Sequence, residues 1–267
     1  MQKTILDKFR LASDYLLFRA QARSRFTIHS PFLFELVNEV FRDKRSFYCF
    51  DEIEKIRGSL LADATLISEN HYGEKSKVLD SRERSLRDIA RTASLPAEYG
   101  ELLFRLVNHF RPENILELGT GTGISTLYLA SAAAAAPVTS LEGSPTLSKI
   151  AQRNLSKLSL NNVQIITGNF ADTLPVALQQ LGKPGFIFID GDHRKSPLLD
   201  YIHQCLPGIT PHTIMVLDDI YWSQEMKEAW QEIIELPQVT MSIDLFRMGI
   251  LFFKEGIVKQ HLKVVAY

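Results

Sequence analysis

The feature that most restricts how this chain can fold is an alternation. Downstream of Glu98, short apolar runs of β type take turns with segments of helical spacing. The strand-type runs are Asn114–Leu118, Val138–Leu141, Val163–Thr167, Gly185–Ile189 and Thr213–Leu217. The helix-type segments are Glu98–Phe110, Ile124–Ala135, Pro145–Leu158, Ala171–Leu181, Ser196–Leu206 and Ser223–Leu236. Strands that alternate with helices lie parallel, joined by right-handed crossovers, with helices on both faces of the sheet. Two further runs, Val239–Phe246 and Ile250–Phe253, are joined only by Arg247-Met248-Gly249. A connection this short forces antiparallel pairing. The expected fold is α/β: a doubly wound seven-stranded sheet ending in a C-terminal antiparallel hairpin.

Residues 1–94 read differently, as a helical extension or lid ahead of the sheet domain at 95–267. Ile5, Phe9, Leu16 and Ala20 fall at helical spacing. Ser30-Pro31 looks like an N-cap with Pro at the first helical position, opening a helix through about Phe41. A third helix is expected from near Asp51 to near Leu61, and a fourth around Arg84 to Arg91. Residues 64–82 are polar and contain Gly73, which suits a loop; Tyr72 and Lys75 are its candidate lid residues. The clusters Phe26–Phe32, with His29, and Phe47–Phe50 could line a pocket, although such clusters more often pack a core.

The chain has 267 residues, 45% of them apolar, enough for one sizeable domain with an extension. Its net charge of -1 does not point to nucleic acid. The first 25 residues are locally basic, which fits either a solvated helix face or a patch for an anionic partner. Cys49 and Cys205 lack metal-site spacing and read as reduced thiols of a cytoplasmic protein. No apolar run approaches the ~20 residues of a membrane span. The apolar extension is a candidate surface for homodimerisation.

The sharpest chemical signal is Glu117-Leu118-Gly119-Thr120-Gly121-Thr122-Gly123, between a strand and a helix. Glycines there let the backbone turn tightly and approach a ligand. The helix N-terminus adds unpaired N–H donors. A dinucleotide fingerprint needs glycine at the sixth position from Gly119, and that residue is Ile124. A carboxylate at Glu117 would repel a pyrophosphate but attract an ammonium group, and S-adenosylmethionine carries an ammonium and a sulfonium. Glu142 ends the next strand, where an acid can accept hydrogen bonds from both ribose hydroxyls. Glu117, Gly119, Thr120, Gly121, Gly123 and Glu142 are therefore the candidate cofactor residues.

A second constellation follows Ile187-Phe188-Ile189 as Asp190-Gly191-Asp192-His193, and a third follows Val216-Leu217 as Asp218-Asp219. Both lie past the C-terminal ends of strands, where open α/β sheets bind ligands. Carboxylates brought together repel unless a cation or protons neutralise them. Oxygen-only ligands suit Mg²⁺ or another hard divalent ion. The alternative is that Asp192 and Asp219 cap the following helices and no ion binds.

ELGTGTG, SLEGSP, ITGNFADTL, FIFIDGDHRK and VLDDIYW, in that order, resemble the motifs of Rossmann-like class I methyltransferases. The chain is most similar to O-methyltransferases of the catechol and macrolide-sugar type, over roughly Pro96 to Lys254. The resemblance implies an S-adenosylmethionine-dependent enzyme acting on a small hydroxylated acceptor. It implies that Asn169 and Phe170 line the adenine and that Ser125 helps hold the cofactor's carboxylate end. It also implies that Asp190, Asp218 and Asp219 hold Mg²⁺, which lowers the pKa of the acceptor hydroxyl. His193 stands where catechol-type enzymes carry a basic lysine, so His193 and Asp190 are both candidates for the catalytic base, and Asp190 for a cofactor contact as well. Trp222 is placed to wall the pocket. Two other readings stay open: an RNA methyltransferase using the basic N-terminal helix, and a nucleoside-binding protein without catalytic activity.

Overall fold

A computed structural model of the chain describes residues 5–22, 30–68 and 83–265. The sheet is built from β3 (Ile115–Leu118), β4 (Val138–Glu142), β5 (Val163–Thr167), β6 (Phe186–Ile189), β7 (Ile214–Leu217), β8 (Met241–Asp244), β9 (Gly249–Phe252) and β10 (Gln260–Lys263). Its strand order is β10-β8-β9-β7-β6-β3-β4-β5. From β3 the chain winds outward through β4 and β5, then returns to lay β6 and β7 on the other side of β3. The strands β3 to β7 are mutually parallel, and β9 runs antiparallel to both β7 and β8. All four residues of β3, β6 and β7 are buried, as expected for strands covered on both faces.

The expected hairpin is present. The sheet has eight strands where seven were expected, because β10 pairs parallel with β8 from Gln260↔Met241 to Lys263↔Asp244. Its Gln-His-Leu-Lys sequence buries only Leu262, so no apolar run marks it. A separate antiparallel ribbon joins β1 (Leu66–Ser68) to β2 (Glu83–Ser85).

The crossover helices are α6 (Ile124–Ala132), α7 (Pro145–Lys157), α8 (Phe170–Leu181), α9 (Lys195–Cys205) and α10 (Gln224–Glu235). Their start signals are local: Ser144, Asn169 and Ser223 accept backbone N–H bonds from Leu147, Ala171 and Met226. Preceding them are α1 (Ile5–Gln21), α2 (Pro31–Leu36), α3 (Tyr48–Ala62), α4 (Leu86–Ala93) and α5 (Ala97–Phe110). Ser30 caps α2 with Pro31 at its first position, and a π-helical turn carries the chain on to Phe41.

The N-terminal helices share their core with the sheet domain. Leu33, Leu36 and Val40 join one cluster with Leu103, Phe186 and Phe252. Phe50, Ile53 and Ile56 join another with Phe104 and Tyr128. Phe47 and Phe50 pack on Phe104, with ring centroids 4.6 and 5.1 Å away, so this aromatic cluster is core. Tyr48 points outward and is 84% exposed.

The inward face of α1 differs from the one its apolar spacing predicts. Phe9 and Leu16 are exposed, whereas Asp14 and Phe18 are buried. Lys227 donates to Asp14 Oδ1 at 2.5 Å, and Phe18 meets Phe246 at 5.5 Å, which fixes the helix rotation. Phe26, His29, Tyr72, Gly73 and Lys75 lie outside the described residues. No helix among the described residues is long and apolar enough to cross a membrane.

Candidate active site

The turn after β3 depends on its glycines. Gly119, Gly121 and Gly123 have φ of +104°, +55° and +89°, a region costly for residues with a Cβ. A Cβ on Gly119 would lie 2.0 Å from the backbone carbonyl oxygen of Asp190. On Gly123 it would press on Ala151 at 3.1 Å, while on Gly121 it would meet nothing within 4 Å. Gly119 and Gly123 thus serve close packing, and Gly121 faces open space suited to a ligand.

Glu117 is fully buried. Its Oε2 accepts hydrogen bonds from Thr126 and Ser140, both at 2.6 Å. Its Oε1 has no hydrogen-bond partner among the described residues. Burial raises its pKa, and the hydroxyls around it pull the other way. A buried carboxylate oxygen left unpaired is costly unless a donor reaches it, and an ammonium group is such a donor. Thr120 turns its hydroxyl inward, 2.5 Å from Ser140 Oγ and 3.2 Å from the Leu141 carbonyl. Its side chain therefore braces the turn, and only its backbone is left to meet a cofactor. Ser125, in the first turn of α6, is also buried.

Glu142 is held by two backbone donors: Gly121 N–H to Oε2 at 2.7 Å and Ser144 N–H to Oε1 at 2.8 Å. The first of these ties the tip of β4 to the glycine turn. An ionised carboxylate has about four acceptor directions and can accept from ribose hydroxyls as well as from backbone N–H groups. Asn169 Oδ1 accepts the Ala171 N–H at 3.1 Å and caps α8. Phe170 comes so close to Gly191 that a Cβ there would sit 2.6 Å from the ring. An open groove of about 620 Å³ runs from Asn169 past Asp192 to Tyr201 and Gln204, outside the glycine turn and the Asp190 tip.

Asp190, Asp218 and Asp219 do come together. Ile189 pairs with Leu217 in register, so the next residues leave neighbouring strand tips side by side. His193 Nε2 lies 3.8 Å from Asp190 Oδ1 and 3.9 Å from Asp219 Oδ2. The Trp222 ring stands 6.0 Å from the His193 ring and walls this corner. Burial, with the like charges of Asp218 and Asp219, holds the Asp190 pKa well above the usual carboxylate range. Burial and Asp219 push Asp218 up to about 6. Asp219 adopts a φ of +53°, an unusual conformation for a residue with a Cβ, here at a candidate functional position.

Capping does not explain these aspartates. Asp192 pairs with Arg194, Nε to Oδ1 at 2.5 Å and Nη2 to Oδ2 at 2.6 Å, and Ser223 caps α10. The expected divalent ion does not fit either. Arg247, in the β8–β9 turn, donates from Nε to Asp218 Oδ1 at 3.0 Å and from Nη2 to Asp218 Oδ2 at 2.9 Å. Its Nη2 is also 3.3 Å from Asp219 Oδ1. The guanidinium engages both Asp218 oxygens and one Asp219 oxygen, which are oxygens a metal would need. No group of three or more His, Cys, Asp or Glu side chains among the described residues is arranged to hold a metal ion.

The sequence pattern did not reveal Arg247 or Tyr99 as site residues. Tyr99, on α5, lies under the Arg247 guanidinium, 5.5 Å from ring centroid to Cζ. Burial pushes its phenol pKa up to about 12. The one available signal was the position of Arg247 in the hairpin turn, which the antiparallel register returns to the tip of β7.

A methyltransferase domain family model matches residues 116–220, from the strand before the glycine turn to just past Asp219. A catechol O-methyltransferase of Niastella koreensis is 33% identical over 57% of this chain and 72% of its own length. Protein-L-isoaspartate O-methyltransferase 1 of Archaeoglobus fulgidus is 31% identical over 45% of this chain and 62% of its own length. Among solved structures, an O-methyltransferase from Bacillus cereus in complex with SAH superposes with a TM-score of 0.55, at 20% identity, covering 78% of this chain and 92% of that one. The chain belongs to the class I S-adenosylmethionine-dependent O-methyltransferases.

Proposed function

We propose that the chain transfers a methyl group from S-adenosylmethionine to a hydroxyl of a small molecule, at the shared tip of β3, β6 and β7. The observation that carries this reading is the packing of Gly119 against the Asp190 carbonyl, which sets the cofactor turn directly beside the carboxylate cluster. S-adenosylmethionine, when bound, supplies an electrophilic methyl on a cationic sulfur.

The residues divide the work as follows. Glu117 Oε1 accepts from the ammonium group, and Glu142 from the ribose hydroxyls. Gly121 leaves room for the cofactor chain, with Ser125 at its carboxylate end, while Phe170 and Asn169 border the adenine. His193, between Asp190 and Asp219, takes the acceptor's hydroxyl proton at Nε2; Asp190, with its raised pKa, is the alternative base. Net negative charge in the cluster favours a sulfonium beside it. Trp222 and Tyr99 wall the site and limit the water that reaches it. Arg247 holds Asp218 and Asp219 in place, and no step here passes through a metal ion.

Calorimetry with S-adenosylmethionine and S-adenosylhomocysteine tests the cofactor half. A screen of hydroxylated acceptors, with and without chelator, tests the other half. Absence of binding by both nucleosides would rule the proposal out.

A further inference from the structure

We infer that Arg247 is a built-in replacement for the divalent cation: its guanidinium occupies the carboxylate cluster, and the site works without a metal. The inference rests on the methyltransferase reading above and deepens it. Three carboxylates meet at the strand tips, and Asp218 is almost completely buried. Such a cluster is stabilised by a cation, or by protons on its members. The cation in place is a guanidinium whose fork matches Asp218 bidentately and reaches Asp219 as well.

Arg247 is fixed by its surroundings. Its carbonyl accepts the N–H of Ile220, the residue after Asp219, at 3.0 Å, and its own N–H bonds to the Leu245 carbonyl at 3.0 Å. Just before it, Phe246 takes a φ of +71°. That conformation is held by the Phe246 N–H bond to Asp244 Oδ1 at 2.8 Å and by stacking on Tyr221 at 4.7 Å. Tyr221 in turn donates to Asp244 Oδ2 at 2.8 Å. From below, Tyr99 offers its ring face to the guanidinium. The turn thus delivers a preorganised charge to the place an ion would take. Nη1 has no hydrogen bond to a described residue, and the side chain is 29% exposed, so this nitrogen can donate to an acceptor oxygen. The site accordingly suits acceptors that present one hydroxyl or oxyanion to the Nη1 N–H of Arg247. It does not require the paired oxygens that chelate a metal.

The test is Mn²⁺ binding followed by electron paramagnetic resonance, on the full chain with and without S-adenosylhomocysteine. The wild-type chain is expected to bind no stoichiometric Mn²⁺ at millimolar metal. Arg247→Ala opens the carboxylates and is expected to raise Mn²⁺ affinity by on the order of tenfold or more. One Mn²⁺ per wild-type chain overturns the inference. So does a folded Arg247→Ala or Arg247→Gln chain that still binds none. If Arg247→Ala does not fold, the wild-type titration and Arg247→Gln decide. Calorimetry with S-adenosylhomocysteine on the same samples separates the two levels: a chain that fails to bind it undermines the methyltransferase reading, whereas Mn²⁺ bound beside it undermines only the role of Arg247.

Discussion

Gly119 and Asp190 are in direct backbone contact: a Cβ on the glycine would stand 2.0 Å from the aspartate's carbonyl oxygen. Backbone meets backbone at that point, so no side chain can move aside. Gly119→Ala adds left-handed strain and a clash, together costing about 2–5 kcal/mol. Gly121→Ala meets only open space and costs about 1–2 kcal/mol of backbone strain. The two variants should therefore separate. Thermal melting is expected to show a large loss for Gly119→Ala and a small one for Gly121→Ala. Calorimetry should show Gly121→Ala losing S-adenosylhomocysteine, because its methyl enters the ligand's space. Equal melting losses in the two variants would contradict this division.

Glu117→Gln tests the ammonium contact. Among the described residues the buried carboxylate has one oxygen with hydrogen-bond partners and one without. Glutamine keeps the shape and its carbonyl can still accept from Thr126 and Ser140, but the charge is gone. Without ligand, stability should hold or rise, because a desolvated charge has been removed. Affinity for S-adenosylhomocysteine should fall about tenfold or more, which corresponds to about 1.4 kcal/mol. Unchanged affinity in calorimetry would remove Glu117 from the site.

Much of this architecture was legible in the sequence, for a physical reason. Parallel strands covered on both faces must be continuous apolar runs, so Ile115–Leu118, Phe186–Ile189 and Ile214–Leu217 announce themselves. Cap residues such as Ser144 and Ser223 act locally and are equally readable. Long-range partnership leaves no local mark. Asp218 and Arg247 are 29 residues apart, and only the β7–β9 register brings them together. The buried face of α1 was hidden for the same kind of reason: Asp14 goes inward because Lys227, far away in sequence, meets it there. The eighth strand escaped notice because one edge residue, Leu262, supplies most of its burial signal.

The carboxylate cluster should govern the acidic limb of the pH profile. Asp218 is raised from 3.8 to about 6, and Asp190 is raised by burial and by its neighbours' charges. Raised carboxyls hold protons in the folded chain that the unfolded chain has released. For Asp218 the contribution to stability therefore falls as pH rises from 3.8 toward about 6 and is level above that, and Asp190 acts in the same direction. Asp219→Asn removes one like charge from both groups. The acidic limb of kcat/KM is expected to move down by about half a pH unit or more. A limb that stays in place, or moves up, assigns it to another group.

His193 and Asp190 can be told apart as bases. His193 Nε2 sits between two carboxylates, 3.8 Å from Asp190 and 3.9 Å from Asp219. If His193 accepts the proton, His193→Gln lowers kcat by about 10²–10⁴-fold. Melting temperature and S-adenosylhomocysteine affinity should be little affected, because the ring's contacts run to Asp190, Asp219 and Trp222 at the acceptor side of the site. Asp190→Asn should then cost less in kcat, acting by loss of the charge that orients and stabilises the ring. The reverse ranking, with Asp190→Asn nearly inactive and His193→Gln close to wild type, transfers the base to Asp190. In that case the raised pKa of Asp190 is what fits it to remove a hydroxyl proton, and His193 becomes the residue that positions it.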